Sequence, residues 1–231
     1  MHHETLRGRL VYRHLSGAER GRERFTMTAH ADGTHTLRAN CEIDLEGLLR
    51  DVVYTVNQQF RPVDAFVRLT LRERFLGSGW FLFTDREASC ESYTAAEGRV
   101  SQRVAVSERP LVFGTHPITA DAWLTGAFSL KGPTQQFFTN GFISSYAFNG
   151  ASGPLLHPIR FGLEFLGVES VNVGAGSFDC RRFRFLLDDS EVAGHPPYEV
   201  WTTDDDARVC VKAWVGAPRD YVYELTDLER T

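Results

Sequence analysis

The chain alternates apolar and polar residues with a period of two over much of its length. Residues 25–29, for example, read Phe-Thr-Met-Thr-Ala, and residues 37–43 continue in the same way. This alternation is typical of β-strands that bury one face and expose the other. Between the two stretches, Asp32-Gly33 suits a tight turn that needs a positive φ angle. The pattern therefore predicts a β-hairpin over residues 24–43.

Similar stretches return at short intervals, separated by turn signals rich in Gly and Pro. They predict further strands at 52–60, 66–73, 80–83, 88–93, 101–106, 159–165, 169–173, 179–187, 198–203, 208–215 and 221–225. A long antiparallel meander usually hides its edges by curling or closing. We therefore predict an all-β fold with minor helix, in the form of a strongly curved antiparallel sheet or half-barrel of the lipocalin type. Helix should make up less than about a fifth of it.

Residues 109–158 lose the alternation and hold five of the nine prolines. Within them, apolar residues at near-helical spacing over 121–128 predict a short helix, around which the sheet would wrap. Residues 135–146 predict a second short helix or an aromatic lid. Because no disordered linker divides the chain, we interpret residues 1–231 as one domain, with 109–158 as an irregular, lid-like insert.

Composition and charge narrow the possible partners. The chain is 42% hydrophobic and 24% charged, with a net charge of −5, and its basic residues are spread along its length. That distribution does not favour nucleic acid as a partner. The first residues lack the apolar region of a signal peptide, and no stretch approaches the roughly 18 apolar residues of a membrane span. These features predict a cytoplasmic protein that does not act at a membrane, and a homodimer remains an option.

Cysteine and glycine spacing disfavours the common cofactor sites. Cys41, Cys90, Cys180 and Cys210 are far apart and form no C-x-x-C pair, so we expect buried, reduced thiols. No glycine cluster completes a dinucleotide-binding or phosphate-binding motif. The sequence therefore predicts neither a metal nor a cofactor.

Two His-Pro-Ile motifs bracket the insert and supply the candidate catalytic residues. They place His116 and His157 where loops could meet a cavity, and Asp121 follows the first by five positions. We predict that His116 acts as a general acid or base oriented by Asp121, with His157 and Tyr54 as further catalytic candidates. The alternative is that each histidine fills a turn and binds a backbone group. Metal binding is a third interpretation, which no ligand spacing supports.

Candidate substrate-binding residues come from polar or aromatic positions on strands and in the insert. Two arginines on one strand face could bind a carboxylate or phenolate, and tryptophans could offer flat surfaces to an aromatic guest. The candidates are Asn57, Arg68, Arg72, Trp80, Glu91, Tyr93, Tyr146 and Trp201. The alternatives are solvated arginines on the convex face and tryptophans that only pack the core.

The C-terminal third carries a family resemblance. Residues 171–185 read Val-Asn-Val-Gly-Ala-Gly-Ser-Phe-Asp-Cys-Arg-Arg-Phe-Arg-Phe, and residues 198–206 continue Tyr-Glu-Val-Trp-Thr-Thr-Asp-Asp-Asp. This pattern resembles an uncharacterised group of bacterial proteins whose fold is similar to that of the lipoprotein carriers LolA and LolB. The resemblance implies a curved antiparallel sheet around one or two helices, with a lipophilic cavity on its concave side. The enzyme VioE, with a similar fold, implies that such a half-barrel can host chemistry.

Two functional hypotheses follow for a hydrophobic or aromatic small molecule as the partner. The first is a cofactor-independent lyase, dehydratase or isomerase that uses acid–base chemistry in the pocket. The second is a binding protein without catalytic activity. An enzyme needs titratable groups that converge on the cavity with pKa values pushed apart, whereas a carrier needs none. A structural or partner-binding domain is a weaker third hypothesis, because no coiled-coil seam or charged tail is present.

Overall fold

The computed structural model describes residues 3–187 and 195–230. In this part of the chain it contains fifteen strands and one short α-helix, so the prediction of a mainly β fold is confirmed. The strands are β1 (Glu4–His14), β2 (Glu19–Ala29), β3 (His35–Ile43), β4 (Leu48–Val56), β5 (Pro62–Leu71), β6 (Arg74–Phe83), β7 (Glu87–Thr94), β8 (Gly98–Ala105), β9 (Val112–Gly114), β10 (Gln135–Ile143), β11 (His157–Val173), β12 (Gly176–Leu186), β13 (Tyr198–Thr203), β14 (Cys210–Val215) and β15 (Tyr221–Arg230). Helix α1 spans Ile118–Leu124.

All fifteen strands belong to one large, curved sheet. From edge to edge its order is β8-β7-β6-β5-β4-β3-β2-β1-β15-β14-β13-β12-β11-β10-β9. Neighbouring strands run antiparallel, except for the parallel pair of β9 and β10. Strands β1 and β15 pair in the middle, which joins the first and last parts of the chain. The sheet curls around α1 and stays open between β8 and β9.

The predicted hairpin at residues 24–43 is present as β2 and β3. In the turn, the backbone N–H of Thr34 donates to Asp32 Oδ1 at 2.9 Å. Gly33 has a φ of 82°, which a side chain would disfavour. The Asp32-Gly33 pair therefore forms the tight turn that the sequence predicted.

The core lies on the inner face of the curve. Along β5, for example, Ala65, Val67 and Leu69 are buried, whereas Phe66 between them is 40% exposed. Helix α1 lies against this inner face, and five of its seven residues are buried. Trp123 on α1 contacts the ring of Tyr54 at a centroid distance of 6.0 Å. The sheet therefore wraps around a short helix, as predicted.

The insert contains more strand than the sequence indicated. Residues 135–146 do not form a helix or a lid, because most of them belong to β10, which pairs with β11. Phe138 and Phe142 point into the core, whereas Phe137 is 71% exposed. The aromatic residues of this stretch therefore alternate around a strand. A helical reading failed because consecutive aromatics mask a period of two.

Residues 144–156, here called the covering segment, bridge the gap between the sheet edges. The side-chain amide of Gln102 on β8 donates to the carbonyl of Leu156 at 3.1 Å and accepts from its N–H at 2.7 Å. Ser92 on β7 donates to the carbonyl of Pro154 at 2.6 Å. Side chains thus replace the strand pairing that would close a barrel.

All four cysteines lie within the described residues and are free and buried, as expected. No helix in the described ranges is both long and apolar enough to cross a membrane.

Candidate functional site

A partly enclosed cavity of about 130 Å³ lies between the inner face of the sheet, α1 and the covering segment. Its wall is mostly apolar and aromatic, with Phe142, Phe148, Phe161, Phe185 and Val215 among the lining residues. Polar groups reach it from several elements, namely Arg20, Arg50, His116, Asp121 and Tyr198. A few polar groups on an apolar wall are typical of small-molecule sites.

Asp121 is the central polar group of this cavity. The Tyr198 hydroxyl donates to Asp121 Oδ2 at 3.0 Å. Asp121 is half-buried, and it lines the cavity. Burial raises the pKa of Asp121 to about 7, and the charge of Glu23 adds to the rise, whereas the Tyr198 bond and the Arg50 charge oppose it. Asp121 can therefore gain or lose a proton near neutral pH.

Glu23 is a second buried carboxyl, and its surroundings are different. Its two oxygens accept from the backbone N–H groups of Ile118 at 2.8 Å and Thr119 at 3.2 Å. The Tyr12 hydroxyl donates at 2.5 Å, and the Thr119 hydroxyl also contacts the carboxyl. Burial raises the pKa of Glu23 above its usual value, although these four hydrogen bonds act in the opposite direction. Both oxygens accept from backbone N–H groups, so Glu23 caps the N-terminus of α1.

A row across three strands holds two opposite charges in the interior. Glu23 on β2 pairs in register with Cys41 on β3, which pairs with Arg50 on β4. Arg50 is only 2% exposed. Its guanidinium donates to the carbonyl of His116 at 3.2 Å and to the carbonyl of Asn149. Arg50 thereby connects β4 to the loop before α1 and to the covering segment at the cavity wall.

His116 lines the cavity but does not bond to Asp121. Its Nε2 lies 3.0 Å from the carbonyl of Ser145, so this nitrogen carries the proton and donates. Burial lowers the pKa of His116 to about 3, and the charge of Arg50 lowers it further. The ring is therefore neutral at neutral pH. The predicted orientation of His116 by Asp121 is wrong, because Asp121 is on α1 and turns toward Tyr198.

The other catalytic candidates lie outside the cavity. His157, at the start of β11, packs against Tyr146 in a tilted ring pair with 4.5 Å between the centroids. Tyr54 is 1% exposed and packs against Phe113 in the core, where burial raises its pKa. Of the candidate ligand-binding residues, only Tyr146 lines the cavity. Its hydroxyl donates to the carbonyl of Pro158 at 2.6 Å.

The remaining predicted binding residues do not face the cavity. Four are on the outer face of the sheet, because they alternate with buried neighbours: Arg68, Trp80, Glu91 and Tyr93. Arg72 is exposed in the turn between β5 and β6. Asn57 stabilises a turn by accepting from the N–H groups of Gln59 and Arg61. Trp201 packs in a separate small cluster with Cys180 and Val211, and its indole N–H donates to Glu169 at 2.5 Å. Their positions give these residues structural roles in the turns and on the outer surface.

No family model and no curated protein matches this chain. A beta-barrel-like protein of the domain of unknown function DUF1849 from Brucella abortus superposes with a TM-score of 0.54 at 10% identity, covering 99% of this chain and 97% of the other. The likeness shows the fold alone.

Two further solved structures are more distant. A DUF1089 family protein from Pseudomonas aeruginosa has a TM-score of 0.45 and 8% identity, over 82% of this chain and 86% of its own. A protein with a YmcC-like fold from Bacteroides fragilis has a TM-score of 0.37 and 9% identity, over 98% and 95%. The likeness to LolA, LolB and VioE proteins stays a hypothesis.

Sequence reasoning missed Glu23, Arg50 and Tyr198, although a signal for two of them was present. Glu23 is in phase with the inward-facing Phe25, and Arg50 is in phase with Val52. A charged residue at an apolar phase of a strand indicates a buried charge, which needs a partner or a function. Tyr198 gave no such signal, because every residue of β13 is buried.

Proposed function

We propose that this protein binds a compact, mainly apolar or aromatic molecule in the cavity and exchanges a proton with it through Asp121. The reaction class would be a lyase, dehydratase or isomerase that needs no cofactor. The observation that carries the proposal is the position of Asp121, which lines the cavity and accepts one hydrogen bond, from the Tyr198 hydroxyl. A group of this kind works best when its pKa is near the working pH.

The environment supports an acid–base role in two ways. Asp121 has a pKa of about 7, whereas that of neighbouring His116 is about 3, so the cavity holds titratable groups with widely separated pKa values. Such separation is a common feature of acid–base sites. The predominantly apolar wall also strengthens any hydrogen bond that a ligand forms with Asp121, because the local dielectric constant is low.

The cavity size limits the ligand. An engineered cavity of about 150 Å³ binds benzene or xenon, so a cavity of about 130 Å³ suits a guest near the size of one aromatic ring. An acyl chain of a lipid would need more room. The size therefore favours a small metabolite over the lipid cargo that the resemblance to LolA and LolB implies.

Model compounds can reveal proton transfer in place of the natural substrate. The protein is incubated in heavy water with small aryl ketones and related carbon acids, and deuterium incorporation next to the carbonyl is followed by NMR. We expect at least one compound to exchange faster than in buffer. Asp121→Asn should reduce this exchange by about 10²–10⁴-fold. Asp64→Asn, on the outer face of β5, serves as the matched control and should leave it unchanged.

The second candidate function is binding without catalysis, and the predominantly apolar lining favours it. The same experiment separates the two. Compounds that bind in the cavity but show no exchange above buffer, or an exchange that Asp121→Asn leaves intact, would exclude the proton-transfer proposal and favour the binding protein.

A further inference from the structure

Arg50 is a buried cation without a matching anion in the described part of the chain. Its guanidinium has five N–H donors. Two of them bind the carbonyls of His116 and Asn149, and the Nε donor, which is fully buried, has no partner. Carbonyl dipoles do not neutralise a full charge, and a buried guanidinium is normally paired with a carboxylate. The other buried arginine of the cavity, Arg20, follows that rule and pairs with Glu46 at 2.6 Å.

The neighbours of Arg50 do not supply the missing charge. Its cross-strand partner is Cys41, and burial raises the pKa of that thiol well above its usual value, so it is neutral. Glu23 is two strands away, and its oxygens are bonded to Tyr12, Ile118 and Thr119. Asp121 is hydrogen-bonded to Tyr198, whereas the hydrogen bonds of Arg50 go to the carbonyls of His116 and Asn149.

We propose that the ligand of this cavity carries a carboxylate, which pairs with the guanidinium of Arg50 at the cavity wall while its apolar part packs against the aromatic lining. This inference rests on the proposed function and names its substrate class. A planar carboxylate matches the fork of a guanidinium and needs one positive charge. A phosphate carries more charge and would need more donors than a single unpaired arginine offers.

The test uses two probes of the same shape and different charge. Benzoate and benzamide are titrated into the full-length protein, and binding is followed by NMR. We expect benzoate to bind about tenfold or more tightly than benzamide, because a charge-assisted bidentate bond is stronger than a neutral one. Equal affinities, absence of benzoate binding, or tighter binding of phenyl phosphate than of benzoate would overturn the proposal.

Variants then assign the preference to Arg50. Arg50→Gln should weaken benzoate binding by about 10- to 100-fold and leave benzamide within about threefold. Arg50→Lys, which keeps the charge and loses the fork, should fall between. Arg109→Gln is the matched control, because Arg109 also binds two carbonyls, those of Pro62 and Phe83, but lies outside the cavity. A benzoate preference that survives in Arg50→Gln would contradict the assignment.

If Arg50→Gln unfolds, Arg50→Lys and the comparison of the two probes on the unchanged protein still decide the question. The outcomes are also separate from those of the proton-transfer experiment. Benzoate selectivity without deuterium exchange would remove the proposed chemistry and keep the carboxylate site. Deuterium exchange without benzoate selectivity would keep the proposed chemistry and remove the carboxylate site.

Discussion

At the scale of single residues, two buried carboxyls in one interior behave differently because they have different numbers of donors. Glu23 accepts four hydrogen bonds, whereas Asp121 accepts one, from Tyr198. Burial raises the pKa of both carboxyls, and more hydrogen bonds oppose this rise at Glu23 than at Asp121. Negative charge on Glu23 adds to the rise in the pKa of Asp121. The charge of one carboxyl thus changes the pKa of the other.

This difference predicts a pH dependence of stability. The folded pKa of Asp121, about 7, is above its unfolded value of 3.8, so the folded state binds this proton more tightly. Its contribution to the free energy of unfolding is complete below about pH 4 and is lost as the pH rises to about 7. The stability of the unchanged protein minus that of Asp121→Asn should therefore fall over this range.

Denaturant unfolding from pH 4 to pH 8 measures this difference. His116, whose pKa is lowered, gives a trend of the opposite sign, but it cancels between the two proteins. A difference that rises with pH would mean that the folded pKa of Asp121 is low.

At the scale of elements, α1 depends on a residue far away in sequence. The helix has seven residues, too few to be stable alone, and no side chain of its own caps it. Glu23 on β2 provides the anionic cap from 95 residues away. The helix is therefore formed by tertiary contacts, and with it the position of Asp121 on its first turn.

Replacing Glu23 with Gln should have two effects. The free energy of unfolding should fall by about 2–3 kcal/mol, because charge-assisted bonds are lost and an amide NH₂ faces N–H donors. The pKa of Asp121 should also decrease, because a neighbouring negative charge is removed. Chemical denaturation measures the first effect, and carboxyl NMR measures the second. Glu19→Gln, exposed on the same strand, is the control; equal effects of both substitutions would argue against the cap.

The elements differ in how far the sequence predicts them. The β2–β3 hairpin could be predicted, because its alternation and its Asp-Gly turn are local signals. Strand β10 could not, because pairing with β11 decides its structure and consecutive aromatics hide its period. The site was harder still. Asp121 and His116 were found as members of a motif, but their partners Tyr198 and Ser145 are set by the fold.

At the scale of the whole molecule, the phase of each strand decides which side chains meet the cavity and which meet solvent. Trp80 and Phe81 are neighbours in β6, yet Trp80 is 49% exposed and Phe81 fully buried. A shift of one residue in register would exchange them. Sequence reasoning identified Trp80 as a ligand-binding residue, whereas the structure places it on the outer face.

Replacing each of these two residues with alanine tests which face of β6 is buried. Phe81→Ala should lower the free energy of unfolding by about 3–5 kcal/mol through loss of burial and formation of a cavity. Trp80→Ala should lower it by less than about 1 kcal/mol, because much of the ring is already in water. Denaturant unfolding measures both, and a larger loss for Trp80→Ala would reverse the assignment of the two faces.

The proposed function depends most on Asp121 as a proton-exchanging group inside the cavity, and a carboxyl NMR titration of its side chain tests this directly. We predict a midpoint near pH 7, and a higher midpoint in Tyr198→Phe, because the Tyr198 hydrogen bond favours the ionised form. A midpoint below about pH 5 in the unchanged protein, within the ordinary range of aspartates, would contradict the proposed role of Asp121.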